Sequence, residues 1–177
     1  MKKGIRNKKV VIFTSVLVIV FATLGVFLVT NHRDDAVDIS LEDIPLSGAP
    51  VTVTAGDKFV ITVAAPSVED MYGYQFRVNY NAADYVYSGE LKSDINGIDT
   101  IFAKPFEGYE LVGATMIGER AGVNATDQIV CHMTFESLRD TAVSDESISI
   151  SDVSVVTSTL EYNEDILGWT YSAALLP

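Results

Sequence analysis

From Val51 onward the chain is a succession of short runs in which apolar and polar side chains alternate, each closed by glycine, proline, asparagine or aspartate. A period of two sends successive side chains to opposite faces, so each run reads as a strand with one buried and one wet face. The clearest case is MYGYQFRVNYN (71–81). Tyr74, Phe76, Val78 and Tyr80 share one parity, and Gln75, Arg77 and Asn79 share the other. Asn81 to Asp84 interrupts with turn-prone residues and Tyr85-Val86-Tyr87 resumes, which predicts a hairpin-like piece of a half-buried sheet. VTVTA (51–55), KFVITVAA (58–65), DTIFA (99–103), YELVGATMIG (109–118), QIVCHMTFESL (128–138), SISISDVSVV (147–156) and ILGWTYSAAL (166–175) supply the rest. Short strands at intervals of about 10 residues, without helical periodicity, predict an all-β fold, a β-sandwich or jelly roll.

The N-terminal third differs in kind. Residues 10–30, VVIFTSVLVIVFATLGVFLVT, carry no charge over 21 positions. At 1.5 Å per residue such a helix spans about 30 Å, the thickness of a bilayer's hydrocarbon core. Five cations precede it, so residues 1–9 form a basic tail expected to stay in the cytoplasm. A cleaved signal peptide is the competing reading. Its apolar core is usually about 7–15 residues and ends at a small-x-small site, so the longer segment here favours an uncleaved signal anchor. Residues 31–47 are acidic and poor in aromatics, and read as a solvated linker. The domain is then expected over 48–177, outside the cell, on a single-pass membrane anchor.

Charge narrows the partners. Beyond residue 33 there are six Lys and Arg against 24 Asp and Glu, a balance of −18. Phosphates would be repelled, so no nucleic-acid partner is expected. The single cysteine, Cys131, excludes an internal disulfide and sits at a core-facing parity with Ile129, Met133 and Phe135.

Catalysis finds little support. Cys131 and His132 are neighbours on a strand and face opposite ways, so they cannot act as nucleophile and base. No nucleophile-elbow, zincin or paired-cysteine motif occurs, so no enzyme activity, metal or cofactor is expected. The stretch KSDINGIDTIFA (92–103) looks like a calcium loop, but Lys92 and Ala103 occupy the two end-ligand positions. Asn124, Ala125 and Thr126 form a glycosylation sequon in outline. Tyr72, Tyr109, Trp169 and Tyr171 could stack on sugars, although most aromatics on alternating strands fill cores.

Gly56-Asp57 before FVITVAAP, then MYGYQFRVNYN and the apolar Tyr85-Val86-Tyr87, resembles the first half of a cohesin domain. YELVGATMIG followed by AGVNATDQIVCHMTFE is similar to the second half. The likeness spans about residues 48–177, and Asn81-Ala82-Ala83 stands where the family has Asp-Pro. It implies a nine-stranded jelly-roll sandwich that binds the dockerin of a secreted protein at the cell surface, in connection with extracellular polysaccharide degradation. It also implies that one flat face makes the contact, through the strands at 72–80, 99–103 and 109–118. Gln75, Arg77, Asn79, Tyr109 and Thr115 are the partner-binding candidates on those strands. A carbohydrate-binding module attaching the cell or its envelope to polysaccharide, and an envelope structural domain, are the alternatives.

Overall fold

A computed structural model describes residues 43–163 and 168–177. The expected membrane anchor and most of the linker lie outside the described residues. What is described is all-β. The strands are β1 (Val51–Val53), β2 (Lys58–Tyr80), β3 (Tyr85–Ser93), β4 (Thr100–Phe106), β5 (Tyr109–Thr115), β6 (Val123–Ser137), β7 (Thr141–Val143), β8 (Ile148–Thr157), β9 (Tyr162–Asn163) and β10 (Thr170–Leu175).

The long strand β2 organises the rest. Its 23 residues would extend roughly 75 Å if straight, at about 3.3 Å per residue, so it has to bend. The bend falls where the register with β6 shifts between Val68 and Met71, and Asp70 there takes a left-handed φ of 48°. Before the bend β2 pairs with β6 and β10; after it, β2 pairs with β5 and β8. One run is therefore β3-β6-β2-β10 and the other β4-β5-β2-β8-β9, joined through a single bulged strand. The two expected strands at 58–65 and 71–80 are thus one element, passing through Pro66.

Both runs turn one parity toward a shared core. Phe59, Ile61 and Val63 come from the first half of β2, and Tyr74, Phe76 and Val78 from the second, all at most 2% exposed. Phe59 stacks on Phe135 at 5.8 Å and meets the Tyr85 ring edge-on at 5.4 Å. Such pairs contribute about 0.5–1.5 kcal/mol beyond their area. Tyr80, expected in the core with its parity mates, is only partly buried. Its ring reaches Phe135 at the rim of the core, 5.3 Å away.

Three expectations are corrected. First, 74–80 and 85–87 do not form a hairpin: β3 pairs with β6, on the other run. The Asn81 carbonyl accepts bonds from the N–H groups of Asp84 and Tyr85, at 2.9 and 3.1 Å. That helix-like turn carries the chain across the core instead of back along β2. Second, Ile129 does not face the core with Cys131. Pairing skips from Val63–Cys131 to Ala64–Ile129, so Val130 is the extra residue of a bulge. Val130 and Cys131 are both 0% exposed and Ile129 is 38% exposed. Third, the linker ends before residue 47. Ile44 is 2% exposed; it bridges β8 at Ile150, and Leu46 bridges β10 at Tyr171. This strap spans from one run to the other and is part of the fold.

Candidate binding face

The register of β8, β2, β5 and β4 sets out the wet face in rows. Arg77 lies opposite Leu111, which lies opposite Lys104; Asn79 lies opposite Tyr109, which lies opposite Phe106. Gln75 faces Gly113 and Phe102, and Gly73 faces Thr115 and Thr100. The five expected partner-binding residues, Gln75, Arg77, Asn79, Tyr109 and Thr115, therefore do share one face. Thr115 stands at the far end of it, its hydroxyl turned back to the Met116 carbonyl at 2.9 Å.

The centre is a four-layer stack. The Tyr109 and Phe106 rings are parallel within 10°, centroids 5.0 Å apart. The Arg77 guanidinium carbon lies 5.1 Å from the Tyr109 centroid and the Lys104 ammonium 5.2 Å from that of Phe106. Each ring thus has the other ring and one cation as neighbours, Arg77 beside Tyr109 and Lys104 beside Phe106. The ring quadrupole attracts a cation to its face, which holds both long side chains in place.

A bulge supplies the clamp at one end. The pairing of β2 with β8 jumps from Gln75–Ser154 to Arg77–Ser151, and Asp152 in the extra segment has φ 52°. Its carboxylate meets Arg77 at 2.7 Å, both side chains being over a third exposed. Asn79 donates to the hydroxyls of Ser151 (3.0 Å) and Ser149 (3.3 Å). At the next row a Cβ on Gly113 would sit 2.5 Å from the Phe102 ring, so glycine there is what allows the ring to lie across β5.

Lys104, Phe106, Leu111 and Asp152 were not anticipated. The signal for the first two was present: the alternation Phe102, Lys104, Phe106 runs on through Pro105. Proline is tolerated because β4 is an edge strand. Asp152 reaches the face only through its bulge.

Beneath the stack, on the core side of β5, Glu110 is 3% exposed. The Tyr80 hydroxyl donates to its Oε1 at 3.0 Å, and its Oε2 has no hydrogen-bond partner. Burial pushes its carboxyl above the usual range.

Among the described residues, several other groups that could carry chemistry have partners within the fold. His132 lies between Thr62 Oγ1 on Nδ1 and Asp94 on Nε2, both at 2.9 Å, and Lys92 holds the other Asp94 oxygen at 2.9 Å. Lys92 first, then His132, hold the Asp94 carboxyl below its usual range. This hydroxyl–imidazole–carboxylate chain pins the loop after β3. Its strands, β2 and β6, are interior to the sheet. Cys131 is on the opposite face, and burial pushes its thiol far up. In the loop resembling a calcium site, Asp94 is thus engaged and Asp99 takes Arg120 and the Ile117 N–H. Among the described residues, no group of three or more His, Cys, Asp or Glu could hold a metal. Asp70, beside a depression of about 560 Å³ lined also by Asn124 and Thr126, accepts bonds from Gly122 N, Ser158 N and Ser158 Oγ. Of the aromatic sugar candidates, Trp169 and Tyr171 are core, at 2% and 0% exposed, and the Tyr72 hydroxyl donates to the Gly118 carbonyl. Only Tyr109 stands on the wet face.

No protein-family model matches the chain, and no curated protein sequence matches it.

Proposed function

We propose that the chain is a non-catalytic binding module that holds a protein partner against the wet face of β8, β2, β5 and β4. The observation that carries this is the Arg77–Tyr109–Phe106–Lys104 stack. It places two cations and two aromatic rings side by side on the exposed surface of the sheet. Arginine and tyrosine are among the residues enriched at interface centres, and prior ordering lowers the entropy lost on association. The resemblance to cohesin domains extends the reading. β2, β5 and β4 are adjacent in that order, which supports the contact face the resemblance implies. On that reading the fold is a jelly-roll sandwich, with ten strands among the described residues where the resemblance implies nine, and the partner is dockerin-like. Residues 10–30 anchor the module in the membrane, keeping a secreted partner, one engaged in polysaccharide breakdown, at the cell surface.

A polysaccharide platform is the weaker reading. Sugars stack on open ring faces, and here the Tyr109 and Phe106 rings are stacked on each other and each has a cation within 5.2 Å of its centre. The test is retention of secreted proteins, and separately of polysaccharides, by the immobilised full chain. Wild type should retain a protein that the Arg77→Ala/Tyr109→Ala variant loses by about fivefold or more. Retention of polysaccharide alone, or of the same protein by both forms, would overturn the proposal.

A further inference from the structure

Resting on that reading of the face, we infer that the partner segment docked there carries carboxylates, which engage Lys104 and the free donors of Arg77 on either side of an apolar contact at Leu111. The domain as a whole is strongly acidic, with six cations against 24 acids beyond residue 33. This face departs from that balance. The charged residues that its strands turn outward are Arg77, Lys104 and Asp152, a net charge of one positive, and the exposed Glu107 lies in the turn that joins β4 to β5.

The pairing of the cations sharpens the point. Arg77, Lys92, Arg120 and Arg139 are each matched to an aspartate. Among the described residues no carboxylate lies within ion-pair distance of Lys104, and its side chain is exposed at an edge strand. Arg77 keeps its partner Asp152 on one terminal nitrogen. The planar guanidinium has five N–H donors, so a second carboxylate has donors to meet. Arg77 and Lys104 lie one row apart on either side of Leu111. Because the stack holds both cations in place, a partner's carboxylates would find them already ordered. The negative charge of the rest of the domain repels acidic chains, so attraction at this face acts at short range, within a Debye length of roughly 8–10 Å. A second copy meeting it face to face would set Arg77 and Lys104 against their own counterparts, which makes symmetric self-association through this face a poor match.

The experiment selects a phage-displayed random peptide library on the immobilised full-length chain. The peptides obtained are then measured against Arg77→Gln/Lys104→Gln and against Tyr109→Ala/Leu111→Ala. The expected result is peptides enriched in Asp and Glu over the library. Replacing those residues by Asn and Gln, or removing the two cations, should weaken binding by about tenfold, and raised salt should weaken wild type more than the charge-removed form. Lys104→Gln alone serves as a second variant, since Lys104 makes no ion pair among the described residues; it should give part of the loss. Peptides lost by Tyr109→Ala/Leu111→Ala but without acidic enrichment, and indifferent to the amide replacements, would overturn the inference and leave the face standing. Peptides indifferent to both pairs, or a wild-type chain that only self-associates, would overturn the face itself.

Discussion

Phe76 and Arg77 are adjacent on β2 and test the two faces against each other. Phe76 is 0% exposed, and its ring lies parallel to that of Tyr74 at 6.0 Å. Phe76→Ala removes the whole ring from a closed core, at about 3–5 kcal/mol. Arg77 has an ion pair to Asp152, but the two side chains are 47% and 37% exposed, so the pair contributes about 0–1 kcal/mol. Its contact with Tyr109 adds about 0.5–1 kcal/mol at an exposed site. Arg77→Ala should therefore destabilise by about 1 kcal/mol, somewhat more than a bare surface position. With a urea slope of about 2 kcal/mol per molar, the midpoints should fall by about 2 M for Phe76→Ala and about 0.5 M for Arg77→Ala. Equilibrium urea unfolding of the full chain, followed by intrinsic fluorescence, reads both. A one-residue slip of β2 would exchange the faces. If Arg77→Ala lowers the midpoint as much as Phe76→Ala, the register and the assigned face are wrong.

Three further outcomes are expected. Burial raises the Glu110 carboxyl, so the fold favours its neutral form. That contribution is complete below the unfolded value of about 4.3 and is lost as pH rises through the folded value. Glu110→Gln should thus gain on wild type in thermal melts as pH rises from about 4 to 8, and a pH-independent difference would refute the assignment. Ile44→Ala should destabilise by about 2–4 kcal/mol, the range for a buried aliphatic truncation; a change within about 0.5 kcal/mol would return residue 44 to the linker. Gly122→Ala puts a Cβ 2.3 Å from the Asp70 carbonyl carbon and should lower stability by about 1–3 kcal/mol. Unchanged melting of that variant would deny the close approach at the bend of β2.

Much of this protein was open to reading from local pattern alone. Tyr74, Phe76 and Val78 alternate with Gln75, Arg77 and Asn79, and a strand's period of two is a property of the backbone, so the buried and wet sets separated without coordinates. The same logic put Cys131 in the core, whereas Tyr109 was grouped with Arg77 through the resemblance to cohesin domains. The rest depended on which strands meet. Whether 85–87 returns beside 74–80 or crosses to β6 is set by the turn at Asn81 and by long-range pairing, and local alternation is identical in both cases. Bulges defeated parity at Val130 and Asp152, because an extra residue shifts every later side chain to the other face. Glu110 offered the opposite trap: polarity argued for the wet face, but its register with Val78 puts it inside beside Tyr80. The Arg77–Tyr109–Phe106–Lys104 stack draws on three strands, and the Thr62–His132–Asp94 chain joins residues up to 70 positions apart. Proximity of that kind comes from the closing of the sheet, and no local stretch of sequence contains it.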